Sequence, residues 1–164
     1  MTGRARVFGD DINTDYIIAS RHKRESLDPQ VLRRYLFEEI DPNFAASLEP
    51  SDLIVAGKNF GCGSAMEVAV TAVLGAGIKA VLARSFSRTY FRNAVNNGLL
   101  PLICDTSLIR EGDRLAIDTS NGLTIRNETT GESTDAAPVP QIMMDILKSG
   151  GLVPYFRRYR DFRV

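Results

Sequence analysis

The chain of 164 residues has no tryptophan, one histidine (His22) and two cysteines, Cys62 and Cys104. So few metal-binding side chains exclude a self-contained four-iron cluster or a typical structural zinc site. Any metal chemistry must then use ligands from another chain. Two cysteines permit one disulfide, but nothing else suggests a secreted scaffold, and reduced thiols are expected. Net charge is absent too. Twenty basic residues balance twenty acidic ones, which leaves no global field to hold nucleic acid or an anionic membrane. There is no apolar run of membrane-spanning length and no secretory h-region at the start, so the expected compartment is the cytoplasm. The 44% hydrophobic content suits one compact domain over residues 1–164, with residues 155–164 as a basic aromatic tail.

Hydrophobic patterning predicts a strand over residues 4–8, a loop of turn formers over 9–15 and an extended piece over 16–18. A charged loop over 21–25 follows. Asp28-Pro29 then opens a helix with Asp at the N-cap and Pro in the first turn, and Val31, Leu32, Tyr35, Leu36 and Ile40 share one face. The apolar run 52–57 reads as a buried parallel strand. Residues 64–75 read as a helix apolar nearly all round, hence buried. A strand over 79–83, a helix over 86–97 stopped by Asn97-Gly98, and a strand over 99–104 complete the alternation, which implies a parallel sheet with right-handed crossovers. Beyond residue 110 the pattern becomes antiparallel. Asn121-Gly122 between runs 115–118 and 123–126 predicts a hairpin. Residues 129–140 read as loop with room for one edge strand, and 141–147 as a helix ending at Ser149-Gly150-Gly151.

The segment Gly61-Cys62-Gly63-Ser64 lies between a predicted strand and a predicted helix. There, helical N–H groups lack intrahelical partners and a serine oxyanion would be stabilised. Spacing alone leaves an alternative open: Ser64-Ala65-Met66-Glu67 also fits a capping box. No G-x-G-x-x-G or Walker lysine is present to support a phosphate-binding reading. Cys62 has no evident histidine partner for nucleophilic work, although a helix end could lower its pKa. His22 reads as a surface loop residue. Arg84, Arg88 and Arg92 flank a strand-to-helix turn, and Arg21 and Arg24 lie in the charged loop. Guanidinium forks suit carboxylates, while solvated or internally paired arginines are the alternative.

Three motifs occur in one order: Gly9-Asp10-Asp11-Ile12-Asn13-Thr14-Asp15-Tyr16-Ile17-Ile18; Gly57-Lys58-Asn59-Phe60-Gly61-Cys62-Gly63-Ser64; and Ala83-Arg84-Ser85-Phe86-Ser87-Arg88 with Arg92-Asn93 and Asn97-Gly98-Leu99-Leu100-Pro101. Together they resemble the small subunits of 3-isopropylmalate dehydratase, in the aconitase superfamily. The resemblance covers nearly the whole chain and is weakest over 119–140. It implies an α/β fold, the swivelling β/β/α three-layer domain with a parallel main sheet and a smaller antiparallel sheet. It implies a large-subunit partner carrying a [4Fe-4S] cluster, with no cofactor or metal on this chain, and a small 2-hydroxy diacid as substrate. The reaction would be a hydro-lyase isomerisation that moves a hydroxyl by one carbon, in leucine biosynthesis. By resemblance, Ser64 takes the proton from carbon and Asp15 lies at the site's edge. Residues 21–25, with Arg21 and Arg24, set specificity, and the turn with Arg84 and Arg88 supports the site. Gly63, Ala65 and Met66 complete the substrate-binding set.

The sequence departs from that family at one point. The family motif continues Gly-Ser-Ser-Arg-Glu-His-Ala, and here Ala65, Met66 and Val68 replace the second serine, the arginine and the histidine. In the family that arginine binds a substrate carboxylate, and losing such a contact when buried removes about 1.5–3 kcal/mol. Three readings follow. Another residue takes over carboxylate binding; or the chain serves another alkyl-substituted malate, with Met66 lining an apolar pocket; or it is a non-catalytic structural partner of the large subunit. A nucleic-acid-binding module would rest only on Arg157-Arg158-Tyr159-Arg160.

Overall fold

The computed structural model describes residues 1–119 and 122–162. Among these residues seven strands form one sheet in the order β4-β3-β2-β1-β5-β6-β7. The strands β1 (Thr2–Val7), β2 (Leu53–Ala56), β3 (Ala80–Ala83) and β4 (Leu100–Ile103) are mutually parallel. The strands β5 (Arg114–Asp118), β6 (Thr124–Asn127) and β7 (Ser133–Asp135) continue it antiparallel from the free side of β1.

The two faces of the parallel half follow from strand alternation. Ile54, Ala56, Val81 and Ala83 face a cluster with the helices α1 (Thr14–Ile17), α2 (Pro29–Leu32), α3 (Phe44–Ser47) and α4 (Val68–Gly75). Leu53, Val55, Ala80 and Leu82 face the other way and share a core with Leu115, Ile117 and Ile125. The antiparallel half therefore curls over the second face, giving the helix, sheet, sheet layering expected of the β/β/α domain. Each buried Leu, Ile or Val side chain there contributes roughly 1.5–3 kcal/mol of hydrophobic stabilisation. The helices α5 (Arg88–Asn97), α6 (Gln141–Lys148) and α7 (Leu152–Tyr159) pack around Val95, Ile146 and Tyr155.

Most predicted elements appear, and the exceptions have local causes. Residues 16–18 were expected to be extended, yet Tyr16 and Ile17 close α1. Asn13 caps it by accepting from the Tyr16 N–H at 3.0 Å, and the backbone turns before β propensity can act. The helix expected from Asp28 is one turn of α2 followed by a 3-10 turn over Arg33–Tyr35. Phe37 follows it at φ 55°, stacked on Phe8 and edge-on to Phe44, and Ile40 is left exposed. The helix expected over 64–75 begins only at Val68. Its N-cap position is Glu67, with no side-chain cap, so the capping-box alternative for Ser64 does not hold. The expected 155–164 tail is partly α7, in which Tyr155 is fully buried and Arg157 and Arg158 lie in the last turn. The strands flanking the predicted hairpin pair as expected, Asp118 opposite Thr124; Ser120 and Asn121 of its turn lie outside the described residues. The edge strand allowed for in 129–140 is β7.

Candidate functional site

Three loops leave the carboxyl ends of β1, β2 and β3 side by side, where open parallel sheets tend to bind ligands. Parallel pairing continues beyond the strands as isolated bridges, Asn13 with Cys62 and Phe60 with Phe86. Around them the Gly61 N–H donates to the Ile12 carbonyl at 2.7 Å, Thr14 N–H to Cys62 O at 2.8 Å, Phe60 N–H to Ser85 O at 3.0 Å and Ser87 N–H to Phe60 O at 2.9 Å. The loops are thus an extension of the sheet with fixed register.

The middle loop carries Ser64. Gly61 takes φ +74°, and a Cβ there would lie 2.2 Å from the Tyr90 ring, so only glycine fits. Gly63 takes φ +89° beside Asn13 and Thr14. After these two turns Ser64 emerges on the surface, ahead of α4 rather than in its first turn. Thr14, itself buried, donates its hydroxyl to the Ser64 carbonyl at 3.0 Å and pins the residue's backbone. The Ser64 hydroxyl has no hydrogen-bond partner among the described residues. Neither do the amides of Gly63, Ser64 and Ala65. An exposed hydroxyl beside unpaired N–H groups suits an oxyanion better than a neutral alcohol.

The first loop places Asp15 half-buried beside Thr14, its Oδ1 accepting from the Ser20 N–H at 3.0 Å. Asp15, Tyr16, Ala19, Ser20, Arg21 and Glu39 line a shallow hollow of about 320 Å³. The third loop brings Ser87, whose hydroxyl donates to Gly61 O at 2.6 Å while capping α5. Arg88 is exposed at the start of α5.

Several predicted site residues stand differently from expectation. Met66 is only 4% exposed and packs in the main core, so it lines no surface pocket; the loop turns inward there to start α4. Ala65 is exposed next to Ser64. Arg21 is not a free cation. It lies 2.5 Å from Glu38 and 2.7 Å from Glu39, and these carboxylates raise its pKa, Glu39 foremost. Arg24 is exposed, with no ion pair among the described residues. Arg84 donates to Asp10 at 2.7 Å.

His22 corrects the surface-loop expectation. It is buried, stacks on Tyr35 at 3.8 Å and shares Glu38 Oε1 with Arg21. The alternative of a Cys62 thiol activated by a helix end finds no support. Desolvation and then the Asp11 charge raise the thiol's pKa, and α4 begins only at Val68. Both thiols are free, and among the described residues no three His, Cys, Asp or Glu side chains converge as a metal site. No helix among them is long and apolar enough to cross a membrane. Sequence reasoning missed Thr14, Ser87 and Asp10. The only signal for them was their position inside quoted motifs.

Comparison with known proteins agrees with this architecture. Residues 23–107 match the family model of the aconitase C-terminal domain. A protein called 3-isopropylmalate dehydratase small subunit 2 from Archaeoglobus fulgidus is 44% identical over 164 residues, covering 100% of this chain and 99% of the relative. A 3-isopropylmalate dehydratase small subunit from Methanosarcina mazei is 44% identical over 159 residues, 96% of this chain and 97% of that one. A crystal structure of 3-isopropylmalate dehydratase from Methanocaldococcus jannaschii superposes with TM-score 0.93 at 41% identity, covering 97% of this chain and 94% of the other.

Proposed function

This chain belongs to the aconitase C-terminal domain family, among the small subunits of 3-isopropylmalate dehydratase, and from that premise we propose that it is the small subunit of a cytoplasmic hydro-lyase interconverting 2- and 3-isopropylmalate in leucine biosynthesis. Its partner is a large subunit bearing a [4Fe-4S] cluster. The donor set of this chain does not fit such a cluster, since among the described residues Cys62 and Cys104 do not converge with other ligands. On the large subunit the cluster would supply Lewis acidity toward the substrate.

The observation that carries the reading is the exposed Ser64 hydroxyl, without a partner among the described residues, on a residue whose backbone carbonyl Thr14 holds. Ser64, as its alkoxide, takes the proton from one substrate carbon and becomes the neutral alcohol as hydroxide leaves the neighbouring carbon, giving isopropylmaleate, protonated serine and hydroxide. The same serine returns that proton when hydroxide adds back with the opposite orientation. The free amides of residues 63–65 stabilise the serine oxyanion. The hydroxyl then needs no histidine beside it. Asp15 borders the hollow next to this point. The exposed cations Arg24 and Arg88 are candidates for the substrate carboxylates, and Arg21 and Arg84 act from within their ion pairs. The reading in which Met66 lines a pocket for another alkyl malate loses its support, because Met66 is core.

Anaerobic reconstitution with the cluster-bearing subunit tests the proposal. Hydration of isopropylmaleate in preference to dimethylmaleate is the expected result. Preference for dimethylmaleate, or no turnover of either by a stable complex, would overturn it.

A further inference from the structure

Asp10 belongs to none of the groups assigned above, yet it occupies the junction of all three loops. Its Oδ1 accepts the Lys58 N–H at 2.7 Å and the Arg84 Nη2 at 2.7 Å. Arg84 closes the same junction with its backbone, its N–H donating to the Gly57 carbonyl at 3.0 Å. Gly57 N–H in turn donates to the Gly9 carbonyl at 3.0 Å. The carboxylate lies so close to Gly57 that a Cβ at that position would be 1.8 Å from Oδ1. One oxygen atom therefore joins the start of the Ser64 loop to the Arg84 turn, and the chain leaves room for it by having glycine at 57.

We infer that Asp10 is a positioning residue for the hydro-lyase reaction: it orients the Arg84 guanidinium and fixes the first residue of the loop that ends in Ser64. A simple surface ion pair explains these contacts less well. Such a pair needs neither a backbone N–H on the same oxygen nor a glycine cut away beneath it, and exposed pairs contribute little to stability. Asp10 is 47% exposed at its side chain and Arg84 38%, so their contacts do little for the fold. A displacement of about 1 Å at a catalytic loop can lower a rate roughly a hundredfold. The Lys58 N–H bond and the Arg84 charge also hold the Asp10 carboxyl below its ordinary pKa, the backbone bond foremost. It thus stays ionised across the working pH range.

The inference rests on the proposed dehydratase activity, and its test separates the two. The assembled enzyme is assayed as wild type, Asp10→Ala, Asp10→Asn, Gly57→Ala, Arg84→Ala and the double variant Asp10→Ala/Arg84→Ala. Hydrogen exchange at the amides of residues 58–64 is followed in the small subunit alone. Wild type without turnover would defeat the dehydratase proposal, whatever Asp10 does. With wild type active, Asp10→Ala is expected to lower kcat about ten- to a hundredfold, with KM changed far less and Tm nearly unmoved. Exchange at Lys58 should accelerate. Gly57→Ala should reproduce both effects by displacing the carboxylate, and Asp10→Asn, which keeps an acceptor for Lys58, should retain more activity than Asp10→Ala. In the Arg84→Ala background the loss from Asp10→Ala should shrink markedly. An unchanged kcat in Asp10→Ala, or a loss repeated in full without Arg84 and unaccompanied by faster exchange at Lys58, would overturn the inference.

Discussion

Two arginine–aspartate clusters brace opposite ends of the same pair of parallel strands, and they differ in almost every respect. At the start of β2, Asp52 is 1% exposed; it accepts from Arg4 Nε at 3.1 Å and Nη2 at 2.8 Å, from Arg6 at 3.4 Å and from the Glu49 N–H at 3.1 Å. Arg6 also meets Glu111 at 2.8 Å and lies over the Phe44 ring at 4.5 Å. At the other end, Asp10 and Arg84 make one contact pair in the open. The first cluster is a saturated internal network. The second lies at the base of the loop whose amides at residues 63–65 have no acceptors among the described residues; positive φ occurs at both ends, at Asp11 and Asn59 here and at Ser51 beside Asp52. Unsatisfied polar groups concentrate where a protein acts and are removed where it only needs to hold together. The contrast separates a stabilising end from the end proposed to carry the reaction in one small sheet.

Substitutions sharpen that contrast, from the largest effect on folding to the smallest. Asp52→Ala leaves two arginines without their shared anion and should destabilise the chain by about 3–5 kcal/mol in urea titrations. A loss under about 1 kcal/mol would mean that the buried network is not a brace. Asp52 also makes stability depend on pH. The arginine partners and the Glu49 N–H outweigh desolvation and lower its folded pKa. Its contribution is therefore present above the unfolded carboxylate pKa of about 3.9 and is lost as pH falls through the lower folded value. Acid titration of wild type should show this loss, and Asp52→Asn should not. Met66→Ala should cost about 2–3 kcal/mol through a core cavity, with the preference for isopropylmaleate over dimethylmaleate unchanged. A changed preference without loss of stability would return Met66 to the substrate pocket. Arg24→Ala, at the working end, should move stability by less than about 0.5 kcal/mol and show itself only as a raised KM.

The stabilising half was largely legible in the sequence. Continuous apolar runs at β2 and β3, the Asn97-Gly98 stop and the alternation after residue 110 are local signals, and local physics decided the outcome. Gly98 does take the left-handed conformation at φ 83°. The working half was legible only in part. Ser64 could be named from its glycines, but the four-residue delay before α4 could not. It arises because Met66 turns into the core and because Thr14, fifty residues away in sequence, holds the Ser64 carbonyl. His22 looked like a surface residue because its burial depends on Tyr35, from the following 3-10 turn, and on Glu38 just beyond it. Asp10 was hidden for the same reason. Its partners come from the ends of two other strands, and no spacing within one motif encodes that meeting.

The most direct measurement is the turnover of isopropylmaleate by Ser64→Ala reconstituted with the large subunit. It should be read alongside subunit affinity and the Tm of the isolated chain. Because the hydroxyl is exposed and unpartnered, affinity and Tm should match wild type, while kcat falls by about 10²–10⁴, the range expected when a general base is removed. A variant that assembles normally and turns over within about twofold of wild type would contradict the assignment of proton transfer to Ser64.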